Sequence, residues 1–166
     1  MKAGVGLMKL YIKEKRFSWR DQLIIRNEKD EKVYTVKSER ISIGDKVHVY
    51  NQANEIVVSI EEKKMGFSPK YVIYQQNEKI AEVKREKNIF GPDYDIEKIN
   101  WKIKGNVEKE DYEIKEGYTE VASFKKKLFS YGDTFVLETK NEKDAPLALG
   151  IVIAIWCLEL DEQDKT

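Results

Sequence analysis

Apolar and polar residues alternate with a period of two through most of the chain, from about residue 8 to residue 140. In EIVVSIEEK, Ile56, Val58 and Ile60 fall on one face, and KYVIYQQ and DTFVLET repeat the pattern. Short polar segments such as NQANE and KEGY separate these runs, and no helical period interrupts them. The pattern predicts a series of short antiparallel β-strands joined by hairpin loops.

A recurring corner motif divides the predicted strands into units. FSWRD, ISIGD, FSPKY, FGPDY and FSYGD each place an apolar anchor and then Ser or Gly before a new strand, at intervals of 24, 26, 23 and 39 residues. The longest interval holds a unit whose corner, GNVEKED, lacks the motif. Two strands per unit, with one strand before the first motif and one after the last, predict twelve strands.

One long uncharged stretch, APLALGIVIAIWCL from Ala145 to Leu158, differs from all the predicted strands. Its apolar residues cover every side of a helix, so it must be surrounded by protein or by lipid. The stretch gives a helix of about 21 Å, short of the roughly 30 Å core of a bilayer, and Glu159, Asp161 and Glu162 follow at once. We therefore predict a helix over about 145–159 that is buried in the protein, followed by a short polar tail.

Twelve strands and one apolar helix fit together in a closed barrel. About eight strands already form an interior that side chains fill, so twelve leave a bore that a helix can occupy. A propeller is a poor alternative, because four strands per blade would give too few blades. The predicted fold class is all-β with one central helix, a twelve-stranded antiparallel closed barrel in a single domain over residues 1–166.

Composition and charge limit the class of function. Lys plus Arg and Asp plus Glu both number 30, so the net charge is zero and we expect no nucleic-acid partner. The single cysteine, Cys157, excludes an internal disulfide and a zinc site built from several cysteines. The segment MKAGVGLMKLYIKEK has no apolar run of signal-peptide length. We therefore expect a cytoplasmic, monomeric protein.

Candidate catalytic or metal-binding residues are few. His48 is the only histidine, so a metal site or acid–base pair there would need carboxylates alone, and a strand histidine satisfied by its neighbours is the alternative. Asp93 and Asp95 could form a carboxylate pair, but FGPDYDI is better interpreted as a corner followed by a strand with both aspartates outward. For Cys157, inside the apolar helix, we expect core packing. We expect no catalytic residue, metal site or cofactor.

Basic residues collect where the strands enter the corners. If the strands form a meander, all corners lie on one rim, and that rim carries a net charge of roughly +4 that could attract an anionic headgroup. Alternatively, these lysines keep strand ends soluble and block edge pairing. Trp19 and Tyr131, at equivalent corner positions, could contact a membrane or partner or cap the core. The candidate headgroup-binding residues are Lys15, Arg16, Lys63, Lys64, Arg85, Lys87, Lys125, Lys126 and Lys127.

The segments MKLYIKEKRFSW, ISIGDKVHVY, FSPKYVIY, FSYGDTFVLE and LALGIVIAIWCLEL together resemble the LURP-one-related family, over about Met8 to Leu160. The resemblance implies the tubby C-terminal-like fold, in which a twelve-stranded barrel encloses a hydrophobic C-terminal helix. It also suggests a role with lipids, because tubby domains bind phosphoinositides and phospholipid scramblases are structural relatives. No tubby or scramblase ligand residue maps onto this chain.

Three classes of function stay open at this point. The first is a non-catalytic binding module whose basic rim meets anionic phospholipid or phosphoinositide headgroups. Scramblase-like lipid handling is a special case of it that the short helix argues against. The second is a protein-interaction or regulatory scaffold with no small ligand. The third, an enzyme, is the weakest, because the helix fills the bore that would otherwise supply a pocket.

Overall fold

The computed structural model describes residues 6–13, 22–41, 44–65, 68–88, 91–129 and 132–164, and these ranges contain twelve β-strands and one α-helix. The strands are β1 Met8–Ile12, β2 Leu23–Arg26, β3 Lys32–Ile41, β4 Gly44–Tyr50, β5 Ile56–Met65, β6 Ser68–Gln75, β7 Glu78–Asn88, β8 Gly91–Glu97, β9 Trp101–Asn106, β10 Asp111–Glu116, β11 Thr119–Phe129 and β12 Gly132–Thr139. A 3-10 turn at Glu142–Asp144 leads into helix α1, Ala145–Asp164.

The strands form one antiparallel meander that curls back on itself. β1 pairs along its whole length with β12, from Met8 opposite Thr139 to Ile12 opposite Phe135. β8 and β9 are the exception to the pairing of consecutive strands, since they touch but no ladder joins them in the part of the chain that the structure describes. The predicted twelve-stranded antiparallel barrel is confirmed. It is nearly closed, with one open seam between β8 and β9.

The meander places the strand connections at two opposite ends of the barrel. The odd-numbered strands β1 to β11 all end at one end of the barrel, the corner rim, and the even-numbered strands β2 to β12 all end at the other, the loop rim. Helix α1 follows β12, so it starts at the loop rim and ends at the corner rim. The Tyr71 hydroxyl donates a hydrogen bond to the Asp161 carboxylate at 2.9 Å, which fixes that end of the helix.

Helix α1 occupies the centre of the core. Every residue from Ala148 to Leu158 is buried, including Cys157. The Trp156 ring meets Phe124 and Phe135 edge-on, with ring centroids 5.6 and 5.4 Å apart. One hydrophobic cluster joins these residues to the interior-facing side chains of the strands. The sequence prediction of a helix that fills the bore is confirmed.

The helix is longer than the sequence predicted. It continues to Asp164, so residues expected in a polar tail after about 159 extend the helix instead. These residues include no helix breaker, so the backbone stays helical beyond the apolar stretch. In the second turn of α1, a Cβ on Gly150 would come within 3.1 Å of Val58 Cγ2, which shows how closely the helix packs against β5. No helix in the described ranges combines the length and the apolar character that a membrane span needs.

Ion pairs cover much of the outer wall. Glu82, on the outer face of β7, is only 7% exposed, and the ammonium groups of Lys79 and Lys70 both contact its carboxylate, Lys70 at 3.2 Å. Hydrogen bonding from Lys79, reinforced by Lys70, outweighs burial and lowers the pKa of Glu82 to about 2. Val72, directly opposite Glu82 on β6, is buried although it points outward. The lysine stems therefore shield an apolar site on the wall.

Replacing the helix tryptophan tests the central position of α1. Trp156→Asp would bury an unpaired charge between Phe124 and Phe135, which costs several kcal/mol, so we expect no cooperative folded state. Thermal unfolding followed by circular dichroism measures this. Trp156→Phe is the matched control and should fold with a lower Tm, because it leaves a cavity but no charge. An Asp variant that melts cooperatively near the parent temperature would mean that α1 lies outside the core.

Lys70 and Lys79 hold the Glu82 carboxylate, an arrangement we call the lysine clamp. It predicts that the free energy of unfolding depends on pH. The pKa of Glu82 in the folded state, about 2, lies below the ordinary value of 4.5. Its ionisation therefore contributes stability that is present above pH 4.5 and is lost as the pH falls toward 2. In urea unfolding, Glu82→Gln should lower the free energy of unfolding by about 2 kcal/mol at pH 7 and by progressively less below pH 4.5.

Glu97→Gln is the matched control for the Glu82 variant. Glu97 lies on the same wall with Lys84 at 2.9 Å, but it is largely exposed, so its loss should cost about 0.5 kcal/mol or less. A Glu82→Gln penalty that does not change with pH would contradict the lysine clamp.

Candidate functional site

The structure describes the side chains of five of the nine candidate headgroup-binding residues: Lys63, Arg85, Lys125, Lys126 and Lys127. Lys64 and Lys87 lie in β5 and β7, where only their backbone is described. Lys15 and Arg16, together with the corner aromatics Trp19 and Tyr131, lie outside the described residues. The site is therefore built from the five side chains and from their neighbours.

Lys63 and Arg85 already interact with groups of the protein itself. Lys63 points outward from β5, and its ammonium donates to Glu61 at 3.1 Å, a contact that raises the pKa of Lys63. Arg85 alternates with Ala81 and Val83 on the interior face of β7, where it is half-buried and has interaction partners. The two basic residues thus lie on opposite faces of the sheet and do not form one anion-binding surface.

The last turn of α1 brings negative charge to the corner rim. Asp161 accepts the hydrogen bond from Tyr71, Glu159 lies two residues earlier, and the carboxyl end of the helix adds its own partial negative charge. Burial, with Cys157, Asp161 and Glu62 nearby, raises the pKa of the Tyr71 hydroxyl well above its usual range. These acidic groups offset the positive charge that the corners carry. They belong to the helix, so the corner sequences do not contain them.

Lys125, Lys126 and Lys127 do not form one cluster, because successive residues of a strand point to opposite faces. Lys125 and Lys127 point outward, with Lys125 directly opposite Val136 of β12. Lys126 lies on the other face, where its ammonium is 3.2 Å from the Asp133 carboxylate. The structure therefore brings together two of the three lysines.

Lys125 and Lys127 line a shallow open groove of about 250 Å³ on the outer wall of β11 and β12. The other residues that line the groove are Glu120, Ser123, Val136, Glu138 and Lys140. Lys140 lies 3.0 Å from Glu120 and 3.9 Å from Glu138, so the protein itself neutralises those charges. Neither Lys125 nor Lys127 lies within 4 Å of a carboxylate that the structure describes. The hydrogen bond from Lys140 and, to a smaller extent, the charge of Lys125 lower the pKa of Glu120.

An exposed apolar side chain lies at the same end of the strand as these two lysines. Leu128 is 83% exposed where β11 reaches the corner rim, and its side chain points to the face of Lys126, opposite to that of Lys125 and Lys127. The ladder with β12 continues to Phe129 opposite Gly132, so the backbone at this position is held in the sheet. We call Lys125, Lys127 and Leu128 the β11 tip. The tip carries two lysines on the outer face of the strand and one exposed leucine on the other face, so a surface that meets the end of the strand can contact both.

The residues considered for catalysis or metal binding lie elsewhere on the outer wall. His48 of β4 places Nδ1 2.8 Å from Ser59 Oγ and Nε2 3.7 Å from Glu39 Oε2, so its neighbours satisfy it, as expected for a strand histidine. Asp93 and Asp95 are exposed on β8 and point outward, also as expected. Among the described residues, no group of three or more His, Cys, Asp or Glu side chains is placed to hold a metal ion.

Comparison with known proteins extends over nearly the whole chain. The sequence profile of the LURP-one-related family matches residues 8–156. The uncharacterised protein YxjI of Bacillus subtilis (strain 168) is 26% identical over 160 residues, which cover 96% of this chain and 99% of YxjI. An X-ray structure of a protein from Arabidopsis thaliana has the same fold, with a TM-score of 0.67 at 15% identity over 96% of this chain and 93% of that one. By its sequence profile and its barrel around a central helix, the chain belongs to the LURP-one-related family.

Proposed function

We propose that this protein is a non-catalytic binding module that recognises anionic phospholipid headgroups at a membrane surface through the β11 tip. The observation that carries the proposal is the pair Lys125 and Lys127, which have no ion-pair partner within 4 Å among the described residues and share the end of β11 with the exposed Leu128. The lysines would attract headgroup phosphates, and the leucine would enter the interface. We further propose a cytoplasmic monomer.

The chemistry of the β11 tip favours weak and reversible binding. Each basic residue near an anionic surface contributes on the order of 1 kcal/mol, and burying the leucine side chain adds about 1.5–3 kcal/mol at most. Salt screens charge–surface attraction beyond about 8 Å at physiological ionic strength, so binding should weaken as salt rises. Ordered β-sheet backbone at the tip limits the conformational entropy that binding must remove.

The remaining basic residues with described side chains support this role less well. Lys63 and Lys126 are held by Glu61 and Asp133, and a lipid phosphate would have to compete with those carboxylates. Arg85 is on the interior face of β7 and is half-buried. Scramblase-like lipid handling would require α1 to leave the barrel, and its burial among the strands opposes that motion. The proposed binding surface is therefore smaller than the whole rim.

Co-sedimentation with vesicles tests the proposal. Neutral phosphatidylcholine vesicles are compared with vesicles that also contain phosphatidylglycerol or a phosphoinositide, at low and at physiological salt. We expect the parent protein to bind only the anionic vesicles, more tightly at low salt, and the variant Lys125→Glu/Lys127→Glu to lose at least about tenfold in affinity, because two attractive charges become repulsive.

Lys29→Glu/Lys32→Glu is the matched control, because it makes the same change in net charge at the β2–β3 loop on the loop rim. It should retain binding within about twofold, since only local charge contacts the membrane. Equal losses in both double variants would mean that net charge, and not the β11 tip, governs binding. Absence of binding to every vesicle would overturn the lipid proposal.

A further inference from the structure

The seam between β8 and β9 leaves two strand edges without a partner strand in the described barrel. β8 (Gly91–Glu97) pairs with β7 and β9 (Trp101–Asn106) pairs with β10, and no ladder crosses between them. On such an edge every second residue directs its N–H and C=O away from the existing ladder. These main-chain groups are a template on which a further strand can form.

Three core side chains beside the seam keep a small exposure to solvent, as do Tyr34 and Val121 at 8% elsewhere in the barrel. The relative exposures of the inward-pointing Ile96, Trp101 and Ile103 are 7, 6 and 9%. Ile60 and Ile73, on the central strands β5 and β6, are fully buried. Apolar side chains from an added strand would lie over these residues and remove the remaining exposure. Each square ångström of apolar surface buried contributes about 25 cal/mol.

The two edges of the seam carry charges of opposite sign, and only one edge is compensated. The outer face of β8 presents Asp93, Asp95 and Glu97, with Lys84 of β7 at 2.9 Å from Glu97. The outer face of β9 presents Lys102 and Lys104, both exposed, and neither forms an ion pair with a described residue.

Neighbouring β10 does not neutralise the lysines of β9. Glu113, directly opposite Lys104, is 3.7 Å from Lys115 of its own strand. The edge of β9 is therefore the one that lacks acidic partners.

We propose that the edge of β9 binds one extended peptide strand of a protein partner in which acidic residues alternate with apolar residues. The main chain of the peptide would continue the sheet, its acidic side chains would face Lys102 and Lys104, and its apolar side chains would cover Trp101 and Ile103. Cross-strand pairs of opposite charge stabilise such an addition. This proposal is independent of the membrane proposal, since it uses another strand and another class of partner.

The sequence of β8 has the same alternation as the proposed peptide. Residues 93–97 read DYDIE, in which acidic and apolar residues alternate on the strand that borders β9. A second copy of the chain is a less suitable partner. Two β9 edges would oppose lysine to lysine. A separate acidic peptide avoids this repulsion, and it must enter between β9 and the β8 strand that touches it without a ladder.

Fluorescence anisotropy with labelled synthetic peptides tests the proposal on the full chain. One peptide of about eight residues alternates Asp with Val, and a second replaces each Asp by Lys. We expect the acidic peptide to bind the parent protein at least about tenfold more tightly than the basic one. Lys102→Glu/Lys104→Glu should reverse this preference, because the sign of the edge is reversed while its main chain is unchanged.

The β11 tip supplies the control that separates the two proposals. Lys125→Glu/Lys127→Glu should leave peptide binding unchanged, and Lys102→Glu/Lys104→Glu should leave vesicle binding within about twofold of the parent. Hydrogen exchange gives a main-chain readout, since the bound acidic peptide should slow exchange within Trp101–Asn106.

Three results would overturn strand addition at β9. The first is no anisotropy change up to about 1 mM peptide, which would mean that the two lysines serve only to keep the edge from pairing. The second is acidic-peptide binding that survives Lys102→Glu/Lys104→Glu or leaves exchange in β9 unchanged. The third is dimerisation of the parent protein by light scattering that Lys102→Glu/Lys104→Glu abolishes, which would assign the edge to a second copy.

Discussion

The burial of α1 by the strands is the contact on which every other part of the structure depends. A ring of twelve strands encloses more space than its own side chains fill, and a helix that is apolar on all sides is stable in a water-soluble arrangement only when something surrounds it. Trp156 of the helix meets Phe124 and Phe135 of the strands edge-on, so helix and strands share one aromatic cluster. Because wall and helix remove the same apolar surface from water, neither is expected to persist without the other.

The lysines of the outer wall differ in whether a carboxylate of the protein holds them, and this difference is the basis of the functional proposals. Carboxylates hold many of the wall lysines, as Glu82 holds Lys70 and Lys79. Such pairs keep the surface hydrated without offering net charge to a partner. The lysines of the β11 tip and of the β9 edge are among those with no carboxylate within 4 Å in the described part of the chain. One set adjoins an exposed leucine and the other an unpaired main chain, which is why we assign them different partners.

The strands and the helix could be predicted from the sequence because both depend on local periodicity. The division of Lys125, Lys126 and Lys127 between two faces follows from the same period of two, and the even number of strands implies that α1 ends among the corners, with Asp161 at its tip. The seam could not be predicted in this way. β8 and β9 alternate as regularly as the other strands, but Lys98 between them has a left-handed backbone, with φ 79°, which a lysine rarely adopts and sequence does not signal.

The seam is also the place where the circumference of the barrel can change. The other neighbouring strands are joined by ladders in the described residues, although only the pair Tyr11 and Arg26 joins β1 to β2. Helix α1 packs mainly against β5, β6, β7 and β12, none of which borders the gap. The circumference can therefore expand by one strand, about 4.8 Å, while these four strands stay in contact with the helix.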